Sequence, residues 1–572
     1  MKVYAIISKY FLGKIMTKNK DLKQIILNTF MGHAPEWYKI LTLVFLIINP
    51  ILLFTAGKFI TGWLILAEFI LTLALALKCY PLLPGGLIAI ESVFMKMVTP
   101  EQVYIEVSHN LEVILLLMFM VAGIYFMKDF LSWLFTKILF LTESKIYLSL
   151  MFCFAGAFLS AWLDALTVTA VMITVCFSFY NIYNQTPYSK RVPIILLKKN
   201  PESKYKGVKL KDEDDENILP EEEYSKDKEL KKAYELRRKL GREDLENFNG
   251  FLRNLLMHGA VGTALGGIST IVGEPQNLLI GTMMGWSFVD FYVMMAHESI
   301  PILIMGLLTV ILVEKFNILG YGYKLPSRVR NVLYWNMKEQ EYKMTKTDYF
   351  KLYVQMIVAI WLIIGLAFHL AAVGLIGLSV IILLTNFTGK SEEHQIGKAF
   401  EEALPFTALL VVFFSIVGLI QENHLFKPVI DFALAQDGNN QKYAFFAASG
   451  ILSSISDNVF VATIYIKEAV SAYHKGLIDV DQLNSLAIAI NVGTNTTSVA
   501  TPNGQAAFLF LLTSAISSRI KLSYLEMIKL ALPYTILLTL VSLAFLNINW
   551  FPHHHIESKV MKIESTQSNS HH

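Results

Sequence analysis

Apolar residues along this chain fall in long runs, not at every second position. Runs of about 18 or more residues occupy 38–55, 60–77, 352–371 and 528–546, and a run of that length crosses a hydrocarbon core of about 30 Å as a helix. The pattern predicts spans near 38–55, 60–79, 81–98 and 111–127, the last continuing toward 141. Further spans are expected near 255–285, 300–316, 352–371, 373–388, 405–420, 486–515 and 528–549. Two more apolar segments, 147–180 and 444–466, each carry an Asp near the middle, Asp164 and Asp457. At 34 residues, 147–180 is long enough for two half-depth helices that enter and leave on one side.

Charge orients this pattern. Lys2, Lys9, Lys14, Lys18, Lys20 and Lys23 precede the first span, with no small-residue cleavage site after a proper apolar core, so the N-terminus is expected in the cytoplasm without a cleaved signal peptide. The stretch 99–110 is then an external loop with Glu101 and Glu106 and no Lys or Arg; the connection around 128–145, with Lys128, Lys137 and Lys145, is internal. A hairpin at 147–180 keeps the loop 185–249, with 16 Lys/Arg and 15 Asp/Glu, on the same inner side. Its later part, EEEYSKDKELKKAYELRRKL, has the i,i+4 charge pairs of a solvated helix. WSFVDFYVMMAHES is expected outside, and 317–350 inside.

The segments repeat. LSAWLDALTVTAV (159–171) aligns with LSSISDNVFVATI (452–464) at an offset of 293, and FMVAGI (119–124) with FSIVGL (414–419) at 295. GGISTIVGEPQN (266–277) aligns with GTNTTSVATPNG (493–504) at 227, and the shortfall of 66 matches the 65-residue charged loop. Each half then holds a span, a hairpin bearing an Asp, and a helix interrupted at Glu-Pro-Gln-Asn or Thr-Pro-Asn-Gly. By span count the two halves run in opposite directions, as in secondary transporters whose site lies between repeats near the midplane. The fold class expected is an all-α polytopic membrane protein of two inverted-topology repeats, each with a re-entrant hairpin and a discontinuous transmembrane helix, about 11 spans plus 2 hairpins. Along the chain this gives a cytoplasmic segment 1–37, helices in 38–98, the first repeat with its hairpin in 99–184, the charged loop 185–249, and the first broken helix and a span in 250–316. A cytoplasmic loop 317–350, the second repeat 351–527, the last span 528–549 and a polar tail 550–572 complete it.

Composition agrees: 54% of the 572 residues are hydrophobic and 17% charged, against roughly half and a quarter in soluble domains. A net charge of +3 suggests no nucleic-acid partner. Cys79, Cys153 and Cys176 have no metal-ligand spacing, and the histidines at 553–555 and 571–572 read as part of a solvated tail.

Chemistry concentrates at the breaks. A charge at the bilayer centre costs about 2.5–3.5 kcal/mol on insertion scales, and unwound backbone there needs partners. A chain that keeps both, twice, is expected to line a water-accessible cavity. The candidate ion-binding and proton-coupling residues are Asp164, Thr167, Glu274, Asn277, Asp457, Asn458, Asn495, Thr496, Thr501 and Asn503. Hydroxyls, amide oxygens and carboxylates are hard ligands suited to small hard cations, and Na+ is expected at Asp164 and Asp457. A carboxylate that holds either a proton or a metal cation, in competition, supplies the minimal chemistry of exchange. The plainer alternatives are that each Asp only caps a half-helix and that Glu274 bonds backbone at the break. Glu68, Glu91 and Glu112 lack a matching polar surround in sequence and read as interfacial or helix-bonded.

GHAPEWYK (32–39), ALKCYPLLPGGLIAIE (76–91), FMVAGIYFMK (119–128), WLDALT (162–167), MHGAVGTALGG (257–267), VGEPQNLLI (272–280), SDNVFVATIYI (456–466), SVATPNGQAAFLFLLTSA (498–515) and ALPYTILLTLV (531–541) resemble the NhaB family of bacterial Na+/H+ antiporters. The resemblance runs from about residue 30 to 550, omitting most of the charged loop. It implies an electrogenic antiporter in the bacterial cell inner membrane that expels Na+ or Li+ against H+, needs no cofactor and works as a homodimer in the lipid bilayer. A sodium-coupled dicarboxylate or anion symporter of the same fold is the alternative. Its hairpin tips carry Ser-Asn-Thr, and two tip acids would repel a dianion. A passive channel would need a continuous pore that nothing in the sequence suggests. A membrane enzyme is disfavoured because no HExxH, GxSxG or phosphate-loop motif occurs.

Overall fold

The computed structural model describes residues 25, 28–186 and 228–548, apart from Ser391 and Asp437. The expectations for the extreme N-terminus, most of the charged loop and the tail fall outside these residues. Among the described residues the chain is helical and contains no strand. In chain order the helices are α1 (Glu36–Ala74), α2 (Leu82–Phe94), α3 (Pro100–His109), α4 (Leu111–Tyr125), α5 (Lys128–Leu141), α6 (Lys145–Ser160) and α7 (Ala165–Gln185). Next come α8 (Lys228–Gly267), α9 (Pro275–Met284), α10 (Phe288–Phe316), α11 (Ser327–Lys343), α12 (Lys346–Ala367), α13 (Val373–Thr388) and α14 (Glu393–Glu422). The last are α15 (Lys427–Leu434), α16 (Gly438–Ser453), α17 (Asn458–His474), α18 (Val480–Thr496), α19 (Ala506–Thr513), α20 (Ala515–Arg519) and α21 (Tyr524–Phe545).

The chain divides into two compact units, Met1–Ile114 with Leu404–Ala435, and Leu115–Ala403 with Gln436–His572. In the first, α1 leaves helical geometry at Gly57 (φ 82°, ψ 176°), a combination open to glycine alone. Asn49 Nδ2 lies 2.8 Å from Glu68 Oε2, 19 residues away, whereas unbroken helix would separate the two by about 28 Å. The chain therefore folds back at Gly57, so the two apolar runs 38–55 and 60–77 form two helices lying side by side.

In the second unit, α8 packs along α6 at unusually close range. A Cβ on Gly262 would stand 2.2 Å from the Cys153 carbonyl oxygen, and one on Gly266 would stand 1.8 Å from that of Ala157. Only bare glycine lets these backbones meet, the arrangement that small residues support between helices in lipid. Near the middle of α8, Arg328 of α11 grips Asp244 through two parallel bonds of 2.5 and 2.9 Å. In the interior, His258 of α8 bonds Glu314 of α10 at 2.9 Å and the Tyr534 hydroxyl of α21 at 2.6 Å. The His258 contacts tie α8, α10 and α21 together through buried polar groups.

Among the described residues, six helices are long and apolar enough to cross a membrane, with the reversed α1 counted once, or seven if α3 and α4, bent by 57°, form one span. The eleven expected crossings included segments that the chain breaks or folds back, such as α1 and the pairs α8–α9 and α18–α19. Several boundaries also differ from expectation. The stretch 99–110 is not an open loop but contains α3, whose N-cap Thr99 accepts from Gln102 N at 3.1 Å. WSFVDFYVMMAHES lies within α10 from Phe288 onward, started by a capping box of Ser287 and Asp290. The loop 317–350 contains α11, and the solvated helix foreseen in the charged loop runs on without interruption as α8. A hydropathy window is blind to caps and to buried polar side chains such as Glu298, which is why these helices extend past their apolar cores. The arms expected to be half-depth are 16 and 21 residues long in α6 and α7, and α7 alone is long enough to cross.

Gly266→Ala is expected to destabilise the protein by about 1–3 kcal/mol through overpacking, read as a lowered melting temperature in detergent; an unchanged melting temperature would refute the close packing. A second expectation concerns pH outside the membrane. The Lys137 ammonium bonded to Glu341, helped by Lys338, holds that carboxyl below the usual glutamate range. A depressed carboxyl pKa contributes stability above its unfolded value of about 4.3 and loses it as pH falls through the lower folded value. Amide protection factors of α11, corrected for the intrinsic pH dependence of exchange, should therefore stay constant from neutral to mildly acidic pH and fall only below that range.

Candidate functional site

The breaks at 268–274 and 497–505 set the site. At the first, α8 ends at Gly267, and Glu274 holds extended backbone (φ −144°, ψ 144°) before α9 begins with Pro275. At the second, a short 3-10 turn (Thr497–Ala500) follows α18, and Thr501 takes nearly the same conformation (φ −136°, ψ 156°). The two positions are 227 residues apart, the offset read from the sequence. The helices that precede the two Asp residues correspond as well: α6 and α16 are each 16 residues long and start 293 apart. The packing of α8 on α6 has a counterpart in Gly493, where a Cβ would stand 2.7 Å from the Phe446 carbonyl oxygen.

Each Asp is a helix N-cap. Asp164 is buried and accepts from Thr167 N at 3.3 Å; Asp457, half-buried, accepts from Val459 N at 2.9 Å and Phe460 N at 3.3 Å. The capping alternative thus describes real bonds, but each is made through one carboxylate oxygen, and a carboxylate offers about four lone-pair sites. Glu274 does not cap its helix. Its Oε1 is buried without a hydrogen-bond partner among the described residues, and its carboxyl lies within electrostatic reach of both Asp164 and Asp457. Three acids from three different segments therefore share one polar region. Among the described residues they are not close enough to ligate one metal ion together through these groups alone.

Amides connect the two breaks. Asn277 donates to the Gly267 and Thr270 carbonyls, both at 2.7 Å, and so satisfies backbone that α8 leaves open where it ends. Its Oδ1 accepts from Asn495 Nδ2 at 3.2 Å, while Asn495 Oδ1 accepts from Gln276 Nε2 at 3.0 Å. Asn495 also donates to Asn491, and Gln505 donates to Ser498 Oγ at 3.0 Å. Hydroxyls clamp each break to its neighbouring Asp-bearing turn: Thr270 donates to the Ala161 carbonyl and Thr501 to that of Ser454, both at 2.5 Å. Those two carbonyls are again 293 residues apart. The helices cross over as well, with α9 packing on α17 and α19 on α7.

The candidates therefore fare differently. Asp164, Glu274, Asn277, Asp457 and Asn495 come together around the breaks, and Thr167 stands one turn from Asp164 with its buried hydroxyl unpartnered among the described residues. Asn458 is occupied by Ser453 and approaches Ser498 Oγ at 3.5 Å. Thr496 donates back to Val492 of its own helix, at 2.8 Å, and Asn503 donates to the Tyr524 hydroxyl at 3.4 Å. The sequence offers Gln276 and Ser498 among the polar residues of its two broken stretches but does not single out Asn491 or Gln505. Asn491 stands four residues before Asn495 on one helical face, which was the available signal; Gln505 follows the second break directly.

This geometry defines a helical membrane protein that keeps carboxylates and broken helices together in its interior. The chain belongs to the bacterial Na+/H+ antiporter B (NhaB) family, whose model matches residues 18–562. It is 54% identical over 514 residues to the Na(+)/H(+) antiporter NhaB of Marinomonas sp. (strain MWYL1), covering 90% of this chain and 96% of that protein. It is 51% identical over 521 residues to the protein of the same name from Serratia proteamaculans (strain 568), covering 91% and 93%. Over 547 residues it is 50% identical to that from Vibrio cholerae O395, covering 93% and 97%.

Asn495→Ala should leave the Gln276 donor and Asn277 acceptor unsatisfied, at a cost of about 1–3 kcal/mol each. The melting temperature in detergent should fall accordingly; no change would mean that the amide chain does not join the two breaks.

Proposed function

We propose that this chain is a secondary active transporter that extrudes Na+, and also Li+, in exchange for external protons by alternating access. The observation that carries the reading is the meeting of Asp164, Asp457 and Glu274 at two helix breaks joined by amides. It is supported by membership in the antiporter family. In this reading the two halves are inverted-topology repeats and the Asp-bearing turns are tips of re-entrant hairpins. The equal offsets of α6 with α16, and of Glu274 with Thr501, support that symmetry. The boundaries given for the segments from 1–37 to 550–572 are proposed with it, as are the inner-membrane location, the cytoplasmic N-terminus and a homodimer.

The mechanism follows from charge. With Na+ beside Asp164 or Asp457, oxygens at the breaks replace part of its hydration shell; without Na+, a proton takes the same carboxylate. The protein reorients when the acids are neutralised by either ion, and not when they are bare, because a bare carboxylate at that depth is costly. Uptake of more protons than sodium ions released per cycle would move net charge. The anion-symporter alternative requires a dianion to approach three acids, which repel it.

In everted vesicles with a respiration-driven pH gradient, Na+ should dissipate the gradient. Asp164→Asn and Asp457→Asn should each abolish or strongly weaken the response while the protein still inserts. Wild-type exchange and apparent Na+ affinity in both variants would overturn the assignment.

A further inference from the structure

A second pair of acids lies in the first unit, within helices that the sequence reads as membrane spans. Asn49, on the first arm of α1, donates through one nitrogen to Glu68 Oε2 of the second arm at 2.8 Å and to Glu91 Oε2 of α2 at 2.9 Å. Two oxygens bonded to one nitrogen lie within about 6 Å of each other, well inside the range where like charges raise each other's cost of ionisation. The polar surround that the sequence did not reveal for Glu68 and Glu91 is thus each other and Asn49, assembled by the reversal at Gly57.

The hydrogen-bond inventory of this cluster does not close. Asn49 and Glu68 are 0% and 3% exposed, and Asn49 Oδ1 and Glu68 Oε1 are buried with no partner among the described residues. One amide supplies two N–H bonds, both spent, while two carboxylates and an amide oxygen supply an excess of acceptors. The groups that bear on the pair are few. Asn49 and Glu91 act on Glu68, and Asn49 acts on Glu91; Lys39 acts on Cys79 instead, and Lys58 is bonded to the Lys96 carbonyl. From the Leu404–Ala435 segment, the contact beside Glu68 is the apolar ring of Phe413 against Phe69. No Lys, Arg or His among the described residues forms an ion pair with either acid.

We propose that Glu68, Glu91 and Asn49 form a proton-binding site, separate from Asp164, Asp457 and Glu274, in which the two carboxyls together hold one exchangeable proton. The occupant is a proton and not a metal cation. The bridging group points N–H bonds into the gap between the carboxylates, where a cation would have to sit, whereas a proton on one carboxyl supplies the donor that the inventory lacks and removes one of two like charges. The pair titrates as a unit, so the proton belongs to neither residue alone.

The test uses the full chain, purified in detergent without Na+, so it does not depend on exchange activity. In an Asp164→Asn/Asp457→Asn background, proton uptake is counted between alkaline and mildly acidic pH, with the infrared band of protonated carboxyls followed in parallel. Adding Glu68→Gln and Glu91→Gln should remove one proton equivalent per chain and the matching band; each glutamine keeps the shape and hydrogen bonds of a neutral carboxyl. Equal uptake and an equal band in the two backgrounds would overturn the proposal. Should the combined variant not fold, either single glutamine variant serves, and a titration superimposable on its parent would be equally decisive against it.

Discussion

Everything at the centre of this protein depends on how a helix can stop in the middle of an apolar interior. Stopping frees carbonyl and amide groups that lipid cannot satisfy. Here Asn277 takes up the carbonyls of Gly267 and Thr270, and Thr270 and Thr501 bind the breaks to the turns that carry Asp164 and Asp457. The same side chains that make the breaks tolerable also present oxygens to the space between them. In the proposed mechanism, stability and ion chemistry draw on the same set of bonds, which accounts for the crowding of polar residues into two short stretches of an otherwise apolar chain.

The acids occupy two kinds of position. Asp164 and Asp457 are anchored at helix N-termini, where the backbone dipole and free N–H groups favour negative charge. Glu274 stands at the start of α9 without using its side chain as a cap. An anchored carboxylate keeps its place whatever it binds, while an unanchored one can turn toward whichever neighbour is charged. That division suits a site in which one acid set coordinates and another follows the charge.

Much of this was legible in the sequence, and the reasons for success and failure are physical. The offsets of 293 and 227 recur in helix lengths and in the conformations of Glu274 and Thr501, because a repeated motif repeats its backbone. Asp164, Glu274 and Asp457 stood out because charge in an apolar run is rare. The boundaries of α3, α10 and α11 were not legible, since capping by Thr99 or Ser287 contributes nothing to hydropathy. Nor was the pairing of Glu68 with Glu91: it depends on a reversal at Gly57 that no pattern of apolar residues records. Thr496 and Asn503 look like ligands by type, but the first bonds its own helix and the second faces Tyr524. Residue type alone does not give direction.

The seating of Gly262 and Gly266 on the carbonyls of Cys153 and Ala157 has a mechanical consequence. Backbones in such contact cannot slide past one another without collision, so α6 and α8 must travel as one piece. In the proposed transport cycle the turn at Asp164 and the break at Glu274, attached to the ends of that piece, keep their spacing. Rearrangement is then left to the softer seam of amides between Gln276, Asn277 and Asn495, which can be remade one bond at a time.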